Sequence, residues 1–320
     1  MPQPYLTQVH VDAPLTMMSV AYIQDHNNFV AARAFPIIPV EKQSDIYFTY
    51  DKDDWFRDEA APRGLSQESA GGGYNIDHSG QYLCVPFGFH KDIDDRVRAN
   101  ADSPLSPDRE ATEFVTQRML LRQERAWVAN NFVTGKWSVD KTPTALWSDY
   151  AASNPIEDIE DGKESILSTT GFEANTLVLA YPVVRKLRNH PDFVDRIKYT
   201  GGILDQIQTE KNLAALFGLK QVLVAKAVVN SAAEGATAVY GFTHGKNALL
   251  CHVADSPGIM TPSAGYTFMW KGVSQNLGAN VAIKRFRMEW LNSDRVEGNM
   301  AFDHKLIARD LGYFFSNVVA

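Results

Sequence analysis

The sequence predicts an α+β chain in which a covered sheet is joined to a long helix, closing strands and an extended hairpin. Two short apolar runs, Thr176–Ala180 and residues 222–229, flank helical segments, which is typical of buried strands in a layered unit. Residues 107–132 contain no helix breaker after Pro107, so they predict one long helix. Two strand-like segments enclose a long polar tip, which predicts a projecting hairpin.

Residues 1–44 are expected to form an arm that lies on other protein. Five prolines are scattered among apolar residues that show no sustained period, although residues 17–23 suggest a short helical or extended piece. Such a segment has apolar anchors but no core of its own.

Residues 45–105 are expected to form the extended loop that contains the hairpin. Ile46, Phe48 and Tyr50 alternate with the intervening residues, which predicts a strand with one covered apolar face. Residues 62–73 carry little that could form a core, and residues 74–89 return as a strand with these side chains on one side: Leu83, Val85, Phe87 and Phe89.

Ordering the arm and hairpin is costly for a single chain. Fixing about 60 residues costs on the order of 60 to 120 kcal/mol. Offsetting the lower figure requires about 2,400 Å² of apolar burial, more than a standard interface of about 1,600 Å². These segments are therefore either loose in isolation or covered by several neighbouring copies.

The long helix, called the spine helix below, should begin with Ser106 as N-cap and Pro107 in the first turn. Apolar residues repeat every seven positions at Phe114, Leu121 and Val128 and predict its buried face. An arginine stripe is interpreted as a solvated face rather than a phosphate site, and its residues and their expected partners are Arg118, Arg122, Arg125, Glu113 and Glu124. A further helix is expected from about residue 156 to 168.

The central α/β unit starts with the strand Thr176–Ala180. A helix should begin at Tyr181 and Pro182 and end at His190, because proline disfavours the helical conformation of the residue before it. After a short helical piece at 192–199, another helix runs from Thr209 as N-cap to Gly218. Strands at 222–229 and 248–253 follow, separated by a loop at 230–245.

Three closing strands are expected at 267–273, 281–291 and 300–308, packed on the spine helix. In the second, alternation predicts three covered and three open side chains, respectively Phe286, Met288 and Trp290, and Arg285, Arg287 and Glu289.

Composition limits the class of protein. With 45% hydrophobic and 22% charged residues, the chain is expected to be globular. A net charge of -7 argues against coating nucleic acid through a basic face but permits a wall that encloses it. Cys84 and Cys251 are expected to be buried free thiols, which implies synthesis in a reducing cytoplasm. No apolar run reaches about 18 residues, and the first residues lack a signal-peptide pattern.

The search for catalytic, cofactor or metal chemistry favours none of these. The stretch from Gly241 to Lys246 resembles a phosphate loop, but its glycine spacing is too short and Asn247 replaces the magnesium-binding hydroxyl. No two of the eight histidines are spaced i, i+3 or i, i+4, which makes zinc improbable. We therefore expect no catalytic, metal or cofactor residues, and a nucleotide-dependent enzyme using this loop is the contrasting hypothesis.

Several separated motifs resemble, in one order, the major capsid proteins of tailed bacteriophages, which have the Johnson fold. They are NHPDFVDRIKY at 189–199, LAALFG at 213–218, VLVAKAVVN at 222–230, PGIMTPSAGYTF at 257–268, SDRVEG at 293–298 and DLGYFF at 310–315. Bacterial nanocompartment shells, the encapsulins, share this fold but enclose enzymes and are the close alternative.

The resemblance implies an N-terminal arm (1–44), an extended loop (45–105), a peripheral domain (106–172 and 266–320) and an axial domain (173–265). It implies pentamers and hexamers that close into an icosahedral shell around double-stranded DNA, in a virion assembled in the host cytoplasm. A separate scaffolding protein, a portal and a decoration protein are possible partners. The charged base of the hairpin is the expected inter-subunit ion-pair region: Asp51, Asp53, Asp54, Arg57, Asp58, Glu59 and Arg63.

Overall fold

The computed structural model describes residues 24–101, 105–199, 210–258, 260–273 and 281–320. The possible piece at 17–23 and the N-cap assigned to Thr209 lie outside these residues.

Within the described ranges the helices are α1 (Ala31–Ala34), α2 (Lys52–Trp55), α3 (Asp95–Ala99), the spine helix α4 (Pro107–Asn131), α5 (Pro155–Thr170), α6 (Tyr181–Leu187), α7 (Pro191–Tyr199) and α8 (Glu210–Leu216). The strands are β1 (Ile37–Val40), β2 (Ser44–Tyr50), β3 (Ile76–Leu83), β4 (Val85–Asp94), β5 (Val139–Lys141), β6 (Thr176–Ala180), β7 (Gln221–Ala225), β8 (Val228–Asn230), β9 (Tyr240–Phe242), β10 (Ala248–Cys251), β11 (Gly265–Trp270), β12 (Ala282–Met288), β13 (Ser293–Leu306) and β14 (Gly312–Phe315).

The first five-stranded sheet is built on the long strand β13. Strands β11 and β12 pair with successive parts of β13, β1 pairs with β11, and β4 runs antiparallel along β13 from residue 293 to 302. The spine helix packs on β13 and β4, and Val115, Met119, Met300 and Phe302 form the apolar core between them. Of the three predicted closing strands, the last, β13, packs on the spine helix as predicted, and β11 and β12 flank it in the sheet.

The second five-stranded sheet has the order β5-β14-β10-β6-β7. Strands β6 and β7 are parallel and β10 is antiparallel to β6. All five residues of β6 are buried, which confirms the covered strand predicted from its apolar run. Helix α5 lies close enough that a Cβ on Gly162 would meet Leu250 and Phe315.

The hairpin is the antiparallel pair β2–β3, and residues 51–75 between the strands are called the hairpin tip below. Its foot is fixed to the first sheet by aromatic contacts. Tyr82 and Tyr47 both stack on Phe268 of β11, with ring centroids 4.5 Å and 5.7 Å apart. The hairpin predicted from the sequence is confirmed, although the chain then continues through Cys84 into β4 rather than ending the loop there.

The spine helix differs from its prediction in three ways. Ser106 makes no side-chain cap bond, although Pro107 does occupy the first turn. Its buried face includes Val115, Met119 and Trp127, which are spaced by multiples of four, whereas Phe114 is exposed because it lies about 100° around the helix from Val115. Glu124 is buried and does not pair with the arginine stripe.

The exposure of side chains on two strands, β2 and β12, also differs from the prediction. Ile46, Phe48 and Tyr50 of β2 are exposed, because only the foot of the hairpin reaches the sheet. In β12, Met288 is buried as predicted, but Phe286 is exposed, and Trp290 follows in a 3-10 turn beyond the strand. The predicted strand at 222–229 is divided into β7 and β8, and β8 pairs with β9, which lies inside the predicted loop at 230–245, so that Val228 is opposite Phe242.

Candidate assembly surface

The hairpin carries a row of apolar side chains in water. Phe48 exposes 67% of its surface, and other large apolar side chains of the hairpin are also exposed: Ile46, Trp55, Phe56, Leu65, Tyr74, Ile76 and Leu83. Scattered apolar residues are normal on a protein surface, but a contiguous set on one projecting element marks an interaction site.

The base of the hairpin tip is ordered by an aromatic cluster. Trp55 lies 6.1 Å from Tyr50 and 5.6 Å from Tyr74, measured between ring centroids, and Tyr50 and Tyr74 are 6.0 Å apart. The three rings contact one another where strands β2 and β3 meet the tip, and much of the area of each ring stays exposed. The tip thus presents an aromatic surface of fixed shape.

The charged residues predicted at the hairpin base divide into two groups. Asp51 caps α2 by accepting the Asp53 N–H at 3.0 Å, and Asp54 accepts the Asn75 N–H at 2.9 Å. Their carboxylates therefore organise the tip itself, which leaves Asp53 and Asp58 as exposed carboxylates without an ion pair within the described chain.

The basic members of the same set have local partners. Arg57 lies 3.9 Å from Glu59, and the Arg63 guanidinium donates to the Gln67 carbonyl at 2.5 Å. Both arginines are exposed. The structure thus brings all seven predicted residues onto one polar segment, but it does not show what lies against them.

The start of the tip is also tied to the body of the chain. Lys52 forms an ion pair with Asp310, and the Ser138 hydroxyl donates to the same carboxylate. These hydrogen bonds, that of Lys52 foremost, lower the pKa of Asp310. No signal in the sequence connects these residues, because the chain between Lys52 and Asp310 includes most of both sheets.

Two further exposed apolar surfaces lie away from the hairpin. Tyr240 of β9 exposes 74% of its surface beside Val239, and Trp290 exposes 75% beside Leu291. Alternation does not distinguish such residues from core residues, because sequence hydrophobicity alone cannot show which side a strand turns to its own core.

An arginine and aspartate network fixes the junction between the first sheet and the start of the spine helix. Asp294 accepts from Arg285 at 2.8 Å, lies 2.8 Å from Arg98 and accepts from Arg287 at 3.4 Å. The hydrogen bond from Arg285 contributes most to lowering the pKa of Asp294 to about 2. Arg287 also forms a two-bond contact with Asp95, with both distances 2.6 Å. Hydrogen bonds from a guanidinium fork orient a carboxylate more strictly than a single contact does.

The residues considered for chemistry have structural surroundings. Both cysteines are buried free thiols, as predicted, and burial raises the pKa of each to about 12. The stretch from Gly241 to Lys246 leaves β9, makes a turn and enters strand β10 rather than the helix that a phosphate loop requires.

Within the described ranges, no group of three or more His, Cys, Asp or Glu side chains is arranged to hold a metal ion. A search of the same ranges finds no helix of the length and apolarity needed to cross a membrane.

Two curated proteins resemble the chain along nearly its whole length. The major capsid protein of Burkholderia phage BcepMu is 25% identical over 323 residues, which is 96% of each chain. The major capsid protein of Pseudomonas phage JBD67 is 26% identical over 326 residues, or 97% of each. No protein-family model matches the chain.

Solved structures share the fold at low sequence identity. A phage-related protein from Bordetella bronchiseptica RB50 has a TM-score of 0.68 at 21% identity, with 92% of this chain and 94% of that one covered. The capsid of cyanophage P-SCSP1u has a TM-score of 0.58 at 10% identity over 88% and 86%. The SrpI encapsulin from Synechococcus elongatus PCC 7942 has a TM-score of 0.52 at 11% identity over 97% and 96%.

A long helix on one sheet, a second covered sheet and a hairpin, in a fold shared with phage capsids and an encapsulin, are the architecture of the Johnson fold. The full-length resemblance to two phage major capsid proteins favours the phage capsids over the encapsulins. The chain is similar along nearly its whole length to the major capsid proteins of two phages, and this similarity indicates a structural protein of the phage capsid type.

Proposed function

We propose that copies of this chain assemble through pentamers and hexamers into an icosahedral shell that encloses double-stranded DNA. The observation that carries this proposal is the hairpin, whose apolar and aromatic side chains extend from a chain that does not cover them. Burying such surface against neighbouring copies would release about 25 cal/mol for each Å² of apolar area, and a shell offers several neighbours to each copy.

Each segment of the chain has its own role in the proposed shell. Residues 1–44 act as the arm, 45–105 as the extended loop, 106–172 and 266–320 as the peripheral domain, and 173–265 as the axial domain. Strand β14, from the second peripheral segment, pairs with β10 of the axial segment, so the proposed peripheral and axial segments share one sheet.

The exposed carboxylates at the hairpin base are proposed to meet basic residues of a neighbouring copy. Asp53 and Asp58 are free of ion pairs within the described ranges, so an inter-subunit partner would not have to displace an internal one. Pairs formed at such a rim contribute little affinity but select the register in which two copies meet.

The DNA would be held by enclosure rather than by sequence-specific contacts. A net charge of -7 gives the wall the same sign as its contents and disfavours adhesion. A separate scaffolding protein, a portal and a decoration protein are proposed partners, and the assembled protein is proposed to reside in the virion after assembly in the host cytoplasm.

Electron microscopy of the purified chain tests the proposal directly. We expect closed shells of uniform size under assembly conditions, and DNA in particles recovered from infected cells. A chain that stays monomeric at high concentration would contradict assembly. Particles that contain packaged protein instead of DNA would favour the nanocompartment function, which the fold shared with the SrpI encapsulin keeps as the second candidate.

A further inference from the structure

Glu124 is a buried carboxyl group in the middle of the spine helix that binds the backbone of the arm. It is 1% exposed, and its two oxygens accept the Val30 N–H at 2.9 and 3.0 Å and the Ala31 N–H at 2.9 Å. These N–H groups lie at the start of α1 and have no partner within that helix. One side chain therefore fastens residues 30 and 31 to the spine helix.

His244 completes the contact from the other side. Its ring is 2% exposed and lies 5.7 Å from the Trp127 ring and 4.9 Å from the Phe132 ring, measured between centroids. Its Nε2 atom lies 3.5 Å from Glu124 Oε1 and forms no hydrogen bond within the described chain. The arm, the spine helix and the turn before β10 thus meet at one buried pair.

The neighbouring threonine fixes the tautomer of this histidine. The Thr243 hydroxyl donates to the Ala227 carbonyl at 3.2 Å and lies 2.9 Å from His244 Nδ1. Because a hydroxyl has one proton to donate, a Thr243 hydroxyl that donates to Ala227 accepts from His244, which assigns the ring proton to Nδ1. Nε2 then presents a lone pair to Glu124, and two acceptors that face each other in an apolar site repel unless a proton lies between them.

We propose that Glu124 is protonated in the folded chain and donates its proton to His244 Nε2, while it accepts the N–H groups of residues 30 and 31. Glu124 and His244 then form a one-proton latch that joins the arm, the spine helix and the turn before β10. A modest approach of the two side chains, from 3.5 Å to about 2.8 Å, completes the hydrogen bond.

The electrostatics of the site agree with this assignment. Burial raises the pKa of Glu124 to about 7, opposed by the two backbone N–H groups and by Arg33 of α1. Burial lowers the pKa of His244 to about 3. From β13, His304 contacts the Gln123 carbonyl, and burial lowers its pKa to about 4, so it too stays neutral near pH 7.

The pKa shifts of Glu124 and His244 make the stability of the fold depend on pH in opposite directions. The raised pKa of Glu124 stabilises the fold below pH 4.5, and this contribution is lost as the pH rises through about 7. The lowered pKa of His244 gives a contribution that is present above pH 6.5 and is lost as the pH falls through about 3. The latch should therefore hold best in mildly acidic solution and weaken above neutral pH.

Nitrogen NMR of the full chain labelled at histidine nitrogens tests where the proton lies. We expect His244 to be neutral at pH 6.5, with a protonated Nδ1 and an Nε2 shifted as a strong hydrogen-bond acceptor; the signal is assigned by its loss in His244→Phe. An imidazolium signal, or a proton on Nε2, at this pH would overturn the proposal.

Glu124→Gln supplies a second test, because the amide imitates the protonated acid: it donates N–H to His244 and accepts from residues 30 and 31. We expect its melting temperature to exceed that of the wild type at pH 8, with the difference shrinking toward zero at pH 5.5. Glu113→Gln, on the exposed face of the same helix and 3.0 Å from Arg109, should give a difference that does not change sign with pH. A Glu124→Gln chain that is less stable than the wild type at both pH values would contradict the latch.

Discussion

Tyr82 of the hairpin stacks on Phe268 of the first sheet with ring centroids 4.5 Å apart and ring planes 12° from parallel. Tyr82 is buried, whereas the residues farther along β2 and at the tip are exposed. This stacked pair therefore fixes the foot of the hairpin to the first sheet, Lys52 ties the start of the tip to Asp310, and the exposed apolar residues of β2 between these two contacts are left for a neighbour.

Replacing Tyr82 by leucine should loosen the hairpin without unfolding the sheets. The change keeps an apolar side chain but removes the ring stack, which is worth about 0.5 to 1.5 kcal/mol. Hydrogen exchange followed by mass spectrometry should show faster exchange in β2 and β3 and unchanged exchange in β6. Tyr240→Leu, at an exposed tyrosine, is the control, and equal effects of the two changes would refute the assigned role of Tyr82.

Replacing Phe48 by serine should separate folding from assembly. Phe48 is 67% exposed in the single chain, so its loss should change the free energy of unfolding by no more than about 0.5 kcal/mol. Particle yield, measured by sedimentation and electron microscopy, should fall sharply. Leu167→Ser, at an exposed position on α5, serves as the comparison, and undiminished particles from the Phe48 variant would remove this side chain from the proposed interface.

Charge reversal at Asp53 and Asp58 should prevent closed particles while leaving folded capsomers. These two carboxylates are exposed and have no internal ion pair in the described chain, unlike Asp51 and Asp54, whose replacement would also disturb the tip. Analytical ultracentrifugation of Asp53→Lys with Asp58→Lys should show small oligomers with the wild-type melting temperature. Glu164→Lys with Glu173→Lys, at two exposed positions, makes a matched change of charge, and shells of normal yield from the Asp53 and Asp58 variant would contradict the prediction.

Adding one methyl group at Gly312 should destabilise the second sheet. Gly312 begins β14, and a Cβ there would overlap the Trp137 indole ring, which is buried. Overpacking of this kind costs about 1 to 3 kcal/mol, so chemical denaturation should show that loss in Gly312→Ala. Gly241→Ala, where a Cβ meets nothing within 4 Å, should be close to neutral.

The sequence predicted the elements whose residues have one dominant local signal. The all-apolar run at 176–180 predicted strand β6 at its observed bounds. The turn at Asn154 and Pro155 predicted the start of helix α5 to within one or two residues. Ser106 does occupy the predicted N-cap position and its carbonyl accepts the Glu110 N–H at 2.9 Å, but its side chain makes no cap bond, which composition alone cannot show.

Long-range pairing was beyond the reach of the sequence. Glu124 looked like a surface acid beside arginines, yet its partners are two backbone N–H groups about one hundred positions earlier in the chain. Phe48 looked like a core residue because alternation shows that a strand has an apolar face but not which molecule covers that face. The domain boundaries and the inter-subunit role of the hairpin base remain predictions for the same reason.

Strand β14 has a consequence for synthesis. It is the last strand in the sequence, yet it lies inside the second sheet, between β5 and β10, and Phe314 and Phe315 are fully buried there. Translation proceeds at about 5 to 20 residues per second, so β14 is synthesised several seconds after β10, the strand with which it pairs. A copy whose translation stops before residue 312 lacks the strand that pairs with β10, and we expect a growing shell to exclude it.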